Sequence, residues 1–164
     1  MSTVIVTDNM PLLTRGMAML LRDDILVGVP ADGAHREGDG SGPSNADLAY
    51  IHETGSPSRN IPERPFLVPG MTDIRDEIAK RMRTAAIAAL RGRVEEVERQ
   101  QNAIGLLCVS SVRRRLVQGP HAPLAPATLA ARRRRGRTGT RPLVDTGQLL
   151  AAITYAIRRK SGRK

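Results

Sequence analysis

Residues 49–71 read AYIHETGSPSRNIPERPFLVPGM, and this stretch separates a front part with strand-like sequence from a long helical middle. Pro62, Pro65 and Pro69 each fix their own φ and push the preceding residue toward extended backbone. The stretch is therefore predicted to form a stiff, proline-rich strap. Phe66, the only Phe in the chain, lies within the strap. We expect it to anchor the strap, either in the core of its own subunit or on a neighbouring subunit.

The part before the strap is predicted to run strand, helix, strand. Residues Thr3–Thr7 and Asp24–Val29 are short and rich in β-branched side chains, as strands are. Between them, Met10–Leu21 carries one apolar stripe at helical spacing. Residues 31–45 contain four Gly and no large apolar residue, which predicts a long loop. A short helix is expected to follow over Ala46–Glu53.

The part after the strap is predicted to be mainly helical. Apolar residues recur every three or four positions over residues 72–118, with a break or kink at Gly92. Pro126 suits the first turn of a short helix that continues into the arginines after it, with Thr128 as the alternative start because Ala125 is a poor N-cap. A further helical turn at Gln148–Ala152 and a final strand at Ile153–Ile157 complete the prediction.

These elements predict an α+β fold in one domain spanning residues 1–164. Short strands would pack against one long helical element, while extended loops and the strap reach outward. The successive parts are residues 1–30, the loop at 31–45, the short helix and strap at 46–71, the helical element at 72–118 and the C-terminal part at 119–164.

The composition limits the classes of protein that the chain can belong to. Three aromatic residues and no Trp leave the core to aliphatic side chains and many Ala. Cys108 is the single cysteine, which excludes a disulfide framework and a cysteine-built metal site. No stretch approaches the roughly 20 apolar residues of a membrane span. The N-terminus lacks the layout of a signal peptide, so we expect a soluble protein made in a reducing cytoplasm.

The charge is concentrated at one end of the chain. Residues 113–164 hold 14 Lys or Arg and one acid, Asp145, for a net charge of +13, whereas residues 1–112 have a net charge of −3. A field of this kind favours a polyanion or an acidic protein surface as partner.

Two short motifs resemble catalytic sequences but are incomplete. Asp145-Thr146-Gly147 matches the string of aspartic proteases, yet helical sequence follows it where such an enzyme requires a paired strand and a flap. Asp145 or Thr146 is instead predicted to cap the helix that follows. His52-Glu53 matches half of a zinc-protease motif, but the second His is absent. We therefore expect no enzymatic activity, no metal and no cofactor.

The arginine run Arg132, Arg133, Arg134 and Arg135 is the candidate contact with DNA or with an acidic partner. Consecutive residues point around a helix, so some of these side chains must face solvent or phosphate. No aromatic residue alternates with them, and no base-reading motif is present. Any contact with DNA is therefore predicted to be independent of sequence.

Four segments together resemble a known family. They are ILVGVP, the strap, which begins with AYIHETG, then PLAPATLAARRRRG and RPLVDTGQLLAAITYAI. In this combination, over most of residues 24–158, the chain resembles the neck or tail-completion (head-to-tail joining) proteins of tailed bacteriophages. It is also similar to the Mu-like virion-morphogenesis proteins, in which the PLAP and DTG segments precede the strap-like segment. The order of the segments leaves the subfamily open.

The resemblance implies a structural virion protein that joins the head to the tail around the DNA channel. Its partners would be further copies in a ring, six-fold or a multiple, other neck and tail proteins, and genomic DNA without sequence preference. Within the strap, Pro62, Arg64, Pro65 and Phe66 are the candidate contacts with other subunits. The alternative is a basic, non-specific nucleic-acid-binding protein that acts alone.

Overall fold

The computed structural model describes residues 10–31 and 42–160. It contains a two-stranded sheet and seven α-helices in this part of the chain, which confirms the predicted α+β class. In chain order the elements are α1 (Met10–Arg22), β1 (Asp23–Gly28), α2 (Asn45–Thr54), α3 (Leu67–Thr72), α4 (Arg75–Leu90), α5 (Val94–Gln118), α6 (Pro126–Arg134), α7 (Gln148–Ala152) and β2 (Thr154–Arg159). The predicted strand at Thr3–Thr7 and most of the loop at 31–45 lie outside the described residues.

Helix α2 begins where the short helix was predicted, and a capping box fixes its start. The Ser44 hydroxyl accepts from the Asp47 N–H, and the Asp47 carboxylate accepts from the Ser44 N–H in return. The Ser44 hydroxyl also donates to the Asp47 carboxylate at 2.8 Å. This bond, together with the one from the Ser44 N–H, favours the charged carboxylate and lowers the pKa of Asp47.

The strap differs from its predicted extended course. Its first part turns back on itself, with Ser56 and Ile61 forming an antiparallel bridge. Residues 62–66 have no regular structure, and the chain becomes helical again at Leu67, so only the last five residues of the strap belong to helix α3. Pro69 is compatible with α3 because it is the third residue of the helix, where the N–H has no partner within the helix.

The long helical element is divided at Gly92, as predicted. Gly92 has φ +66°, in the left-handed region that favours glycine. A Cβ at this position would lie 2.6 Å from the Leu12 Cβ, so the close approach of α1 also requires glycine. The first half of the element begins at Arg75 rather than at residue 72, because residues up to Thr72 belong to α3.

The chain divides into two compact units, the first formed by residues up to Leu26, Arg75–Leu106 and residues from Ala156 onward. Its core is built largely from alanines of α4, with Ala85 and Ala89 fully buried beside Val97 of α5. Gly16 of α1 packs so closely on α4 that a Cβ there would lie 2.9 Å from the Ala89 Cα. Small residues therefore allow the helices to approach closely, at the expense of buried apolar area.

The second unit comprises Val27–Ile74 and Leu107–Tyr155. Its core has larger side chains, namely Phe66, Val109, Val112, Leu116, Leu149 and Ile153. Helix α3 lies against α5 at Gly70, where a Cβ would come within 2.8 Å of the Val112 Cα. The buried Ser111 hydroxyl donates to the Gly70 carbonyl at 2.8 Å, which fixes this contact. Val27, Val29 and Tyr155, at or next to the strands, pack on the same core and confirm the predicted packing of strands on the long helix.

Candidate interaction surface

Glu53 caps helix α3 from a distance of thirteen residues. Its carboxylate accepts from the backbone N–H groups of Phe66, Leu67 and Val68 at 2.8, 2.9 and 2.9 Å. The first amides of a helix have no partner within the helix, and its N-terminus carries partial positive charge. Glu53 therefore ties the end of α2 to the start of α3.

Arg64 holds the strap against the proline-rich segment before α6. Its side chain is only 6 % exposed. The Nε–H donates to the Ala122 carbonyl at 2.8 Å, and Nη2 donates to the Pro123 carbonyl at 2.9 Å. Burial disfavours the charged form and lowers the pKa of Arg64, and the two carbonyls partly compensate for the lost hydration.

Phe66 packs inside its own subunit. Its side chain is 1 % exposed and belongs to the core of the second unit. Of its two predicted locations, Phe66 takes the core of its own subunit, and Arg64 is buried as well, so neither side chain is accessible to another subunit as the strap contacts predicted. Of the predicted strap contacts, Pro62 and Pro65 are exposed and remain available to a partner.

Arg132 is a second internal clamp. It is 8 % exposed, and its Nη1 lies 2.9 Å from the carbonyl oxygens of Gly139 and Arg141 and 3.2 Å from that of Val144. Its Nε lies 3.4 Å from the Asp145 carboxylate. These bonds hold the loop after α6, so Arg132 is not the surface contact that the sequence predicted.

The Asp145 carboxylate balances the positive charge of Arg132 and does not cap a helix. Besides Arg132, it binds Arg137 Nη1 at 2.6 Å. The N-cap of α7 is Gly147, at φ +79° and without a side-chain cap bond. The predicted capping role of Asp145 or Thr146 is therefore wrong. The two basic partners of Asp145 lie nearby in sequence, but only the folded loop brings them to the carboxylate.

The described arginines of the basic third that belong to the second unit fall into two groups, while Arg158 and Arg159 belong to the first unit. One group is bonded internally and consists of Arg113, Arg114, Arg115, Arg132 and Arg137. The other group is exposed and makes no side-chain hydrogen bond or ion pair with any described residue of the second unit. This group, here called the free arginines, consists of Arg133, Arg134, Arg135 and Arg141. The free arginines are the part of the predicted run that can meet a polyanion or an acidic surface.

A groove of about 360 Å³ lies between the strap, α6 and the segment before α7. About half of the residues that line it are apolar, among them Ile61, Leu124, Leu143 and Leu149, and the rest are polar or charged. Arg135 is the free cation among the described residues of the lining. Asn60 and Leu143, which line the groove, have φ of +54° and +62°. They are the only non-glycine residues at positive φ in the described ranges. Such strained conformations cluster at binding sites.

The two incomplete catalytic motifs have structural roles in the fold. The Glu53 carboxylate is used by the α3 amides, and Asp145 is paired with two arginines. Across residues 10–31 and 42–160, no group of three or more His, Cys, Asp or Glu side chains could hold a metal ion. In the same ranges, no helix has both the length and the apolar character needed to cross a bilayer.

Exposed large apolar side chains are concentrated in the first unit. Of ten among the described residues, Tyr50 and Val68 belong to the second unit. The other eight belong to the first and are Met10, Leu12, Leu21, Leu26, Met82, Ile87, Leu90 and Leu106. On α4, Ile87 and Leu90 are three residues apart and so lie on one side of the helix, whereas Met82 lies about 140° around the helix from Ile87. We call the exposed pair Ile87 and Leu90 the apolar face.

Sequence reasoning missed both arginine clamps and the Glu53 cap. Arg64 binds carbonyls 58 and 59 positions away and Glu53 binds amides thirteen to fifteen positions away, whereas Arg132 binds carbonyls seven to twelve positions away. A weak signal was present for Glu53, since an acid at a predicted helix end precedes a proline-rich segment and a short apolar run. No local signal distinguishes Arg132 from the three arginines that follow it.

Comparison with family models, curated proteins and solved structures finds no match to this chain.

Proposed function

We propose that the chain is a structural virion protein of a tailed phage that completes the tail or neck and joins head to tail around the DNA channel. It acts without catalysis, as one copy in a ring that is six-fold or a multiple of six. It is made in the host cytoplasm and ends in the neck or tail of the particle, in contact with other neck and tail proteins.

The observation that carries the proposal is the apolar face of the first unit. Exposed large apolar side chains that share one side of a helix are candidates for burial against another protein. The core beneath this face is largely alanine, so the unit buries little apolar area of its own. Covering Leu21, Ile87 and Leu90 with a neighbouring copy would bury the area that the alanine core lacks.

The motif that resembles phage neck proteins supports a structural reading. Its acid, Glu53, caps a helix; its arginine, Arg64, clamps two carbonyls; and Phe66 fills the core. These residues together fix the path of the chain from α2 to α3. A pattern of residues with these roles specifies a fold rather than a reaction.

The mass of the purified protein in solution tests the proposal. The wild type is expected to form a ring, alone or with candidate neck proteins, whereas Leu90→Asp and Ile87→Asp should shift it toward the monomer. Tyr50→Asp is the matched control, because Tyr50 is also exposed and apolar but lies in the second unit. A wild type that stays monomeric under both conditions, or α4 variants that assemble normally, would contradict the proposal.

The free arginines favour a second candidate, a non-specific nucleic-acid-binding protein that acts alone. Phosphate contacts release counterions, so affinity for duplex DNA would fall with salt by a slope of about −0.9 per phosphate neutralised. Replacing Arg133, Arg134, Arg135 and Arg141 with Gln should then flatten the slope and leave the fold intact. A monomer that binds unrelated duplexes equally would favour this candidate over the ring.

A further inference from the structure

The groove between the strap and α6 is preformed rather than dependent on a ligand for its shape. On one wall, Asn60 N–H donates to the Pro57 carbonyl at 3.0 Å, and the Ser56–Ile61 bridge closes the turn around it. On the other wall, Arg132 holds the carbonyls on both sides of Leu143. A strained φ persists only where its surroundings determine it, and here both strained residues are fixed by such bonds.

The size and lining of the groove define what can enter it. Its volume of about 360 Å³ lies at the lower end of the range of ligand pockets. Its apolar lining includes Leu48, Ile61, Leu124, Ala131, Leu143 and Leu149. Such a concave site, lined by both apolar and polar residues, accepts side chains and extended backbone. A DNA duplex presents charged phosphates on a convex surface and matches neither the shape nor the lining.

The charge of the groove indicates the sign of its occupant. Asp145 is neutralised by Arg132 and Arg137, and Arg64 directs Nε and Nη2 to the carbonyls of the proline-rich segment. Arg135 lines the groove, is exposed and makes no bond with the described residues. The charge left for a ligand is therefore positive, and it stands next to an apolar surface.

We propose that this groove binds an extended peptide segment of a partner protein, in which a carboxylate lies next to an aliphatic side chain. The aliphatic group would occupy the space between Ile61 and Leu149, and the carboxylate would pair with Arg135. This site is independent of ring formation, because the apolar face belongs to the first unit and every residue lining the groove belongs to the second.

Three variants separate this site from general attraction by a basic surface. Arg135→Glu reverses the charge inside the groove, and Thr128→Trp fills the groove from an exposed position on α6. Arg133→Glu is the matched control, since Arg133 is an exposed arginine next to α6's last residue but does not line the groove. Melting curves and molecular mass establish that each variant folds and assembles as the wild type does.

The experiment selects peptides from a random decapeptide display library on the wild-type protein and measures each enriched peptide against the variants. We expect Asp or Glu next to Leu, Ile or Val in the enriched peptides. Arg135→Glu and Thr128→Trp should each weaken binding about tenfold or more. Arg133→Glu should change it by about twofold or less, because exposed charges outside the contact are screened.

Three results would overturn the proposal. The first is an absence of enrichment over the Thr128→Trp variant. The second is an equal loss for Arg133→Glu and Arg135→Glu, which would mean that the whole basic surface attracts the peptide. The third is duplex DNA whose binding is lost in Thr128→Trp, which would assign the groove to nucleic acid. A failure of the ring proposal would leave all three readouts unchanged, because they do not depend on assembly.

Discussion

Replacing Glu53 with Ala removes the carboxylate that joins the end of α2 to the start of α3. The three N–H groups of Phe66, Leu67 and Val68 lose their acceptor at once. Two of these bonds are partly buried, so water replaces them poorly, while the bond to Val68 is exposed. The variant is therefore expected to destabilise the start of α3 and, with it, the position of Phe66 in the core.

The size of the effect follows from the number and kind of bonds. A hydrogen bond to a charged group contributes about 1.5 to 3 kcal/mol, and the contributions of three bonds to one carboxylate do not add in full. Ordering the Glu53 side chain in the folded wild type costs up to about 2 kcal/mol of rotamer entropy, and the absence of this cost in the Ala variant offsets part of the loss. We expect a net loss of about 2 to 4 kcal/mol in the free energy of unfolding. In a chain of this size, that loss lowers Tm by about 10 °C.

Thermal melting and amide hydrogen exchange test this prediction. Glu63→Ala is the matched control, because Glu63 is an exposed acid in the same strap whose side chain makes no bond with the described residues. It should change stability by about 0.5 kcal/mol or less. In Glu53→Ala, the amides of Phe66 and Leu67 should exchange faster than in the control. Equal melting of the two variants, with both amides still protected, would refute the capping role of Glu53.

Three further predictions concern buried side chains of the second unit. Phe66→Ala should lower the stability of the isolated subunit by about 3 to 5 kcal/mol in a melting experiment, and unchanged melting would show that its pocket lies elsewhere. Arg132→Gln should lower the free energy of unfolding in urea by about 3 kcal/mol, because it breaks a buried, paired charge. Arg133→Gln should leave this free energy almost unchanged. Equal losses in the two variants would contradict the clamp. Burial raises the pKa of the Cys108 thiol, so iodoacetamide should modify it only after denaturation. Rapid modification of the native protein would contradict this.

The sequence predicts the elements of this fold better than it predicts their joints. Helix α1, the break at Gly92 and the start of α6 at Pro126 follow from stripes and breakers within a few residues, and the structure has them at or near the predicted places. The sequence does not predict the helix at the end of the strap, from Leu67 onward, because three prolines suggest extended backbone. Pro69 is nevertheless tolerated, since the first turn of a helix needs no N–H from it.

The candidate site was predicted only in outline. The basic third is visible in the composition, but which arginines are free depends on the loop that Arg132 holds. Glu53 and Asp145 were weighed for catalysis because their neighbours in sequence match catalytic strings. Their actual partners lie eight to fifteen residues away and come together only on folding. Tertiary pairing of this kind leaves no periodic signal in one sequence.

Electron microscopy of the purified protein tests the ring proposal most directly, because it shows the symmetry and the channel of the assembly. The sample is the full chain, alone and mixed with candidate neck and tail proteins of a tailed phage. The account predicts closed rings, six-fold or a multiple, with a central opening wide enough for duplex DNA, and their loss in Leu90→Asp but not in Tyr50→Asp. Single subunits in both samples, or closed dimers without a channel, would contradict it.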